Sequence, residues 1–211
     1  MIGLSSLSAL LIMFTAKPGL LHFSCDKAGI PADASAASLV ARFGRDQVTT
    51  EMIELGEGFQ RRGTVLFARD PRRRIEIFWQ DSVAERFPEE LRVSGDTSDW
   101  ITPNGITLGT SLQSLERLNG RPFHLAGFAF DYSGAITNWA GGRLDASRRA
   151  VCDLHGGVDP RVRTAADRRR YDMFNGDRDF MSNQPDMRAL NPRVDRLSLH
   201  YHEHKRPSGP R

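Results

Sequence analysis

The chain has 211 residues, of which 39% are hydrophobic and 26% are charged, and its net charge is +3. This length can bury a core, and the balance excludes a wholly disordered chain and a bundle of membrane-spanning helices. Arginines are balanced by acidic residues along most of the chain. We therefore expect no nucleic-acid partner, because no single positive field is present to bind a polyanion nonspecifically.

The opening segment, residues 1–25, is apolar. Ile2 to Phe14 carries no charge, which is the length of a signal-peptide core and too short to span a bilayer of about 30 Å. The segment therefore predicts export to the bacterial periplasm or envelope. The alternative is a buried N-terminal helix, because no Lys or Arg precedes the apolar run.

The chain has two cysteines, Cys25 and Cys152. Three interpretations stay open for them. In the first, Cys25 is the acylated first residue of a lipoprotein, which would tether the N-terminus to a membrane. In the second, the two cysteines form one disulfide in an oxidising periplasm. In the third, they are unrelated thiols.

Residues 26–82 read as a first helix-plus-strands unit. A helix is predicted at 34–43, with Leu39, Val40 and Phe43 on one side, followed by a stop at Gly44. Strands are predicted at "QVTTEMIEL", "GTVLFA" and "RIEIFWQ". In the last of these, apolar residues at every second position indicate a strand with one buried face.

Residues 83–104 read as a connector with a short strand at 91–94. A second unit follows at 105–144, in which Thr110 and Gln113 fit a capping box at the start of a helix. An apolar stripe then recurs every three residues at Leu112, Leu115 and Leu118. Asn119-Gly120 ends this helix, and two strands are predicted at Phe123 to Tyr132 and Ala135 to Trp139.

The segments "SLVARFGR" and "SLERLNGR" share Ser-Leu and Gly-Arg at matched positions. Two tandem helix-plus-strands units would explain this, and chance similarity of short helix ends is the alternative. The predicted fold class is α+β, an antiparallel sheet with two short helices.

Three long stretches carry a family resemblance: "GTVLFARDPRRRIEIFWQD", "TPNGITLGTSLQSLERLNGRPFHLAGFAFDYSG" and "GDRDFMSNQPDMRALNPRV". They resemble a family of uncharacterised bacterial exported proteins over roughly Ala34 to Tyr201. The unit "GITLGTSLQSLERLNGRP" also looks like the helix-to-strand element of the SmpA/OmlA outer-membrane assembly lipoproteins and of the β-lactamase-inhibitor-protein fold. The resemblance implies a binding module and no assigned activity.

The remaining segment, 145–204, is an Arg/Asp-rich extension that reads as irregular until a closing strand. In "VDRLSLHYH", Leu197, Leu199 and Tyr201 fall on one face. Residues 205–211 read as a frayed tail.

The aromatic residues of the second unit give the candidate binding surface. Strict alternation would place Phe128, Phe130 and Tyr132 on one face of the predicted hairpin. One interpretation is packing against the apolar stripe of the helix, and the other is a partly exposed patch that binds a partner. The candidate binding residues are Phe128, Phe130, Asp131, Tyr132, Asn138 and Trp139.

A metal site is the alternative function. His200, His202 and His204 would project to one side of the closing strand, and a metal-dependent hydrolase would use them. The competing interpretation is a polar outer face at the end of the chain.

No motif of a complete catalytic site is present: Gly-x-Ser-x-Gly, the P-loop and the dinucleotide fingerprint are all missing from the sequence. We therefore predict no catalytic residue and no cofactor. The sequence indicates a noncatalytic envelope module that binds an envelope protein or a small ligand.

Overall fold

The computed structural model describes residues 21–24, 29–56, 58–95, 98–145 and 152–203. This part of the chain has an α+β fold dominated by antiparallel strands, as predicted, but it contains four α-helices where two were expected. None of the helices described is long and apolar enough to cross a membrane. The apolar opening segment, Cys25 and His204 lie outside the described residues.

The strands are β1 (Leu21–His22), β2 (Val48–Gly56), β3 (Phe59–Leu66), β4 (Ile75–Asp81), β5 (Arg86–Ser94), β6 (Trp100–Ile101), β7 (His124–Ala126), β8 (Ile136–Asn138), β9 (Cys152–Asp159), β10 (Asp179–Met181) and β11 (Arg193–Tyr201). The helices are α1 (Ala36–Phe43), α2 (Leu112–Asn119), α3 (Ala165–Met173) and α4 (Pro185–Leu190).

The main sheet has six strands in the order β2-β3-β4-β5-β11-β9, and all neighbouring pairs are antiparallel. A smaller antiparallel sheet has the order β10-β7-β8, and β1 pairs with β6 in parallel. The predicted closing strand, β11, lies between β5 and β9. The C-terminal extension therefore supplies two strands of the main sheet.

One face of the main sheet is buried under the helices. Leu197, Leu199 and Tyr201 are buried on it, as predicted. The same core holds Leu39 of α1, Leu112 and Leu115 of α2, and Met187 of α4. All four side chains lose water contact in one continuous cluster, so the helices and the sheet are held together chiefly by apolar burial.

The opposite face of the main sheet is open and carries only a small apolar cluster. Phe78 of β4 is fully buried there with Ile53 and Val65, so β4 is covered on both sides rather than on one. The guanidiniums of Arg61 and Arg92 lie over the Phe78 ring, each 5.2 Å from its centroid. The aliphatic parts and the guanidiniums of these arginines cover the Phe78 ring, which the alternation in the sequence predicts to lie on the solvent-exposed face of β4.

Helix α2 begins one residue later than the predicted capping box. The Ser111 hydroxyl accepts from the Ser114 amide at 3.2 Å, while the Thr110 hydroxyl accepts from the Thr107 amide at 3.0 Å. Because the Thr110 hydroxyl bonds the amide of Thr107, which precedes the helix, the N-cap of α2 is Ser111. Gly120 ends the helix in the left-handed region, as predicted.

Two stretches contain more regular structure than predicted. The expected connector includes β5, and the expected irregular extension includes β9, α3, β10 and α4. In β5 the buried Leu91 and Val93 alternate with Glu90 and Arg92 on the open face. The charged residues of this segment are typical of a loop in sequence, but in the structure they lie on the solvent-facing side of a central strand.

The helices that carry the repeated sequence pattern lead into different sheets. Helix α1 is followed by β2 of the main sheet, whereas α2 is followed by β7 of the smaller sheet. Both helices contribute side chains to the main core.

Candidate functional site

An open cleft of about 790 Å³ lies on the uncovered face of the main sheet. Its walls are the tip of the β2–β3 hairpin and the loop that joins β7 to β8. Opposed residues of antiparallel strands project to the same side, and the register pairs Ser198 with both Arg92 and His155. The cleft floor is therefore built by three strands, from Glu90, Arg92, His155, Arg196, Ser198 and His200.

The walls of the cleft concentrate the exposed apolar surface of the fold. Seven large apolar side chains of the described residues are exposed, and four of them line this cleft: Leu55 at 46%, Phe59 at 69%, Phe130 at 52% and Tyr132 at 71%. Isolated exposed apolar residues are ordinary, but a concave cluster with a polar floor is typical of a binding site.

The predicted aromatic face is split by the backbone. The predicted strand from Phe123 ends at Ala126, and Ala129 has a left-handed φ of 65°. Phe128 is consequently buried, with its ring stacked on Tyr171 at a centroid distance of 5.4 Å. The expectation that Phe128 shares a face with Phe130 and Tyr132 is wrong, because strand alternation ends before these residues.

Several hydrogen bonds fasten the loop 128–135 to its surroundings, and three of them are near its tip at Ser133 and Gly134. Arg196 donates from Nη2 to the Ser133 carbonyl at 2.8 Å. The Val158 amide donates to the Gly134 carbonyl at 3.0 Å, and the Gly134 amide donates to the Gly127 carbonyl at 3.2 Å. Gly134 has a φ of +64°, and a Cβ there would lie 1.9 Å from the Val158 oxygen, so this position requires glycine.

The other predicted binding residues fall at different places. Asp131 lines the cleft and is exposed. Trp139 packs on the Phe123 ring at 5.0 Å, and the Asn138 side-chain oxygen accepts from the Ala140 amide at 2.7 Å. Neither Asn138 nor Trp139 lines the cleft.

A histidine pair lies in the cleft floor, where the ring centroids of His155 and His200 are 4.4 Å apart. Burial lowers the pKa of His155, and the neighbouring His200 lowers it further against the opposing effects of Asp153 and Glu90. A neutral imidazole has one donor and one acceptor. At neutral pH the His155 ring therefore offers hydrogen bonding without charge.

The group Ser198, His200 and Glu90 does not have the geometry of a catalytic triad. The Ser198 hydroxyl is 3.1 Å from His200 Nε2, and the Glu90 carboxylate is 3.6 Å from the same nitrogen. A triad needs the nucleophile and the acid on opposite nitrogens of the imidazole, so that one nitrogen takes the proton while the other is oriented. Here both partners approach one nitrogen.

The candidate metal ligands have separate partners. His200 faces Glu90, whereas His202 Nε2 is 3.3 Å from the Asp153 carboxylate. Within the ranges that the structure describes, no group of three or more His, Cys, Asp or Glu side chains could hold a metal ion. His204 lies outside those ranges.

The charged groups of the floor are mostly compensated inside the protein. Arg92 donates to Glu76 at 2.8 Å and to the Glu54 carbonyl at 2.7 Å. Asp131, at the rim, has no ion pair within the described ranges. The cleft therefore combines apolar walls, a floor that carries hydroxyl and imidazole groups, and the Asp131 carboxylate, which has no ion pair within the described ranges.

Sequence reasoning missed the hairpin wall and the floor. Leu55 and Phe59 flank a glycine-containing turn, and an exposed aromatic residue at a hairpin tip is a usable signal for binding. The floor residues come from strands distant in sequence, so only the pairing of β9, β11 and β5 brings them together.

Comparisons with known proteins found no match among family models, curated proteins or solved structures. The resemblance to exported bacterial proteins therefore stays a prediction. Cys152, at the start of β9, is disulfide-bonded, and the chain's other cysteine is Cys25.

Proposed function

We propose that the protein is a noncatalytic binding module of the bacterial envelope that holds an apolar group of a partner protein in the aromatic cleft. The observation that carries this proposal is the clustering of Leu55, Phe59, Phe130 and Tyr132 around one concave surface. Aromatic side chains dominate the energetics of many interfaces because they bury a large area at low conformational cost.

The chemistry of the cleft favours a protein segment as the occupant. The apolar walls suit a large apolar side chain, and the neutral His155 and the Ser198 hydroxyl suit the hydrogen-bonding groups of a peptide. The cleft is open along the face of the sheet, so a side chain can enter while its backbone remains outside. A small ligand is the competing occupant.

The envelope location is supported by two observations. The uncharged segment Ile2 to Phe14 has the length of a signal-peptide core. Cys152 is disulfide-bonded, and such bonds persist in oxidising compartments. We propose Cys25 as its partner, in which case the Cys25 sulfur is not acylated.

Capture from the cell tests the cleft. The double variant Phe130→Ser/Tyr132→Ser removes the aromatic side chains of one wall of the cleft, and Val83→Ser/Met173→Ser removes two exposed apolar residues that do not line it. Both variants change exposed positions, so we expect both to melt within a few degrees of wild type.

Under the proposal, one defined envelope protein co-purifies with wild type and with the Val83/Met173 variant, but not with the Phe130/Tyr132 variant. If the two variants capture the same proteins in equal amount, the cleft is not the binding site. If mass spectrometry of native wild type instead shows a bound small molecule lost only from the cleft variant, the occupant is a small ligand.

A further inference from the structure

A second surface, separate from the aromatic cleft, surrounds helix α2. A cleft of about 640 Å³ runs along this helix and is lined by hydroxyl and guanidinium groups, including those of Thr110, Ser111, Ser114, Arg117, Arg143 and Arg193. It shares no lining residue with the aromatic cleft.

The three arginines of this cleft hydrogen-bond to neutral oxygens. Arg193 donates to the Gly109 carbonyl at 2.9 Å, and Arg117 donates to the Ser114 hydroxyl at 2.8 Å. Arg143 donates from Nε to the Leu118 carbonyl at 3.0 Å. These bonds position the guanidiniums around one space without neutralising their charge.

Three arginines that lack acidic partners within the described ranges line this one cleft. None of the three has a carboxylate at ion-pair distance there, whereas at least one such carboxylate is present for Arg61, Arg62, Arg72, Arg74, Arg86, Arg92, Arg170, Arg188 and Arg196. Like charges that share a cleft repel one another unless a counter-charge is supplied. Within the residues that the structure describes, no carboxylate supplies this counter-charge to the three arginines.

The charge continues into an adjoining cleft of about 560 Å³ that includes Arg117 and Arg121. Arg121 donates to the Ala140 carbonyl at 2.8 Å and also has no carboxylate partner in the described part. In that cleft Arg188 is neutralised by Glu116 at 2.7 Å. The uncompensated charge is therefore centred on Arg117, which lines both clefts.

We infer that this arginine cleft binds an oxyanion of the phosphate type. A guanidinium presents five donors in a planar fork that matches two oxygens of one phosphate. The hydrogen bonds within the protein use one or two of these donors in each arginine, which leaves the others for a ligand. A phosphate between Arg117, Arg143 and Arg193 would supply the missing counter-charge.

Titration with inorganic pyrophosphate at low salt tests the inference. The site variant is Arg117→Gln/Arg193→Gln, and the matched control is Arg45→Gln/Arg69→Gln, which removes the same charge from exposed positions outside both clefts. Arg143 is retained, because it bonds carbonyls at the end of α2. We expect saturable binding to wild type and to the control, a dissociation constant at least about tenfold higher for the site variant, and weakening by added salt.

The melting temperature without ligand shows whether the site variant is folded. If it is not, Arg117→Gln alone replaces it, since that guanidinium bonds only a serine hydroxyl in the described part. An equal loss of affinity in site variant and control would show nonspecific attraction and overturn the inference, as would failure of wild type to bind any phosphate probe.

A second arm identifies the source of the phosphate. Co-sedimentation with vesicles of phosphatidylcholine alone and with vesicles that also contain phosphatidylglycerol is measured for the same proteins. Binding to the anionic vesicles that the site variant loses and the control keeps assigns the phosphate to a lipid headgroup. Pyrophosphate binding with the same dependence, and no vesicle binding, assigns it to a free phosphorylated ligand.

Discussion

Arg196 donates a hydrogen bond of 2.8 Å to the Ser133 carbonyl, and this bond fastens the loop of Phe130 and Tyr132 to the main sheet. The arginine is on β11 at the bulge against β9, so the position of the aromatic wall depends on a strand far away in sequence. The shape of the cleft is consequently a property of the whole sheet.

We predict that Gly134→Ala releases this loop. The variant requires a left-handed alanine and places its Cβ 1.9 Å from the Val158 carbonyl oxygen, so we expect a loss of about 2 kcal/mol or more in the free energy of unfolding. Urea denaturation measures the loss, and hydrogen exchange at 128–135 shows where the structure loosens.

Gly156→Ala is the control for that substitution. The Cβ that this substitution adds would have Leu197 Cδ2 as its nearest heavy atom, at 3.5 Å, which is an ordinary van der Waals contact. We expect a change below about 1 kcal/mol. Equal destabilisation by the two variants would show that the close approach at Gly134 does not hold the loop.

The second prediction concerns pH. Burial lowers the pKa of His155 in the folded protein, while in the unfolded chain a histidine titrates near 6.5. As the pH falls through that value, the unfolded chain takes up a proton that folded His155 does not, so the free energy of unfolding decreases. We expect this decrease between about pH 7.5 and 5.5 to be smaller in His155→Gln than in wild type.

Denaturation curves at several pH values measure the effect, with His22→Gln as the control for removing an exposed imidazole. Superimposable pH profiles for wild type and His155→Gln would contradict the assignment of a partly desolvated His155 with a lowered pKa to the cleft floor.

The third prediction concerns the disulfide of Cys152. Intact-mass measurement of the mature protein under non-reducing conditions should give a mass two hydrogens lower than after reduction, with a Cys25–Cys152 cross-linked peptide. Reduction should lower the free energy of unfolding by about 2–4 kcal/mol, because the bond restricts the unfolded chain. A mature N-terminus that starts at an acylated Cys25 would contradict the proposed pairing.

The fourth prediction concerns metal binding. We expect tag-free protein to hold no stoichiometric divalent metal at His200 and His202, because these side chains contact different carboxylates. Elemental analysis of wild type and of His200→Ala/His202→Ala/His204→Ala measures this directly. A stoichiometric metal lost from the triple variant would favour the metal-dependent hydrolase instead.

Local patterns predicted part of the fold. The helix stop at Gly120 and the apolar face of β11 are confirmed because each depends on near neighbours: a left-handed glycine, or alternation along one strand. The strand β5 was largely missed because its charged residues have partners on neighbouring strands, such as the Glu76 that binds Arg92. The sequence of one strand does not show which charged residues on neighbouring strands will pair with it.

The candidate site was predicted in part for the same reason. Phe130, Asp131 and Tyr132 are close in sequence, and all three line the cleft. The sequence pattern groups Phe128 with them, because the residue that interrupts the strand alternation is Ala129. Its backbone is left-handed, a conformation that the sequence usually signals with a glycine. His200 was predicted only as a candidate metal ligand, and the floor as a group was not predicted, since Glu90, His155 and His200 meet only through the pairing of three distant strands.

Site-specific photo-crosslinking tests the central claim most directly. Benzoylphenylalanine replaces Tyr132 in the cleft wall or Val83 in the β4–β5 turn, where the side chains are 71% and 91% exposed. If the cleft is the binding site, irradiation of intact cells gives one discrete adduct from position 132 that is absent from position 83, and Phe59→Ser reduces its yield. Equal labelling from both positions, or a discrete adduct from position 83 alone, would contradict the account.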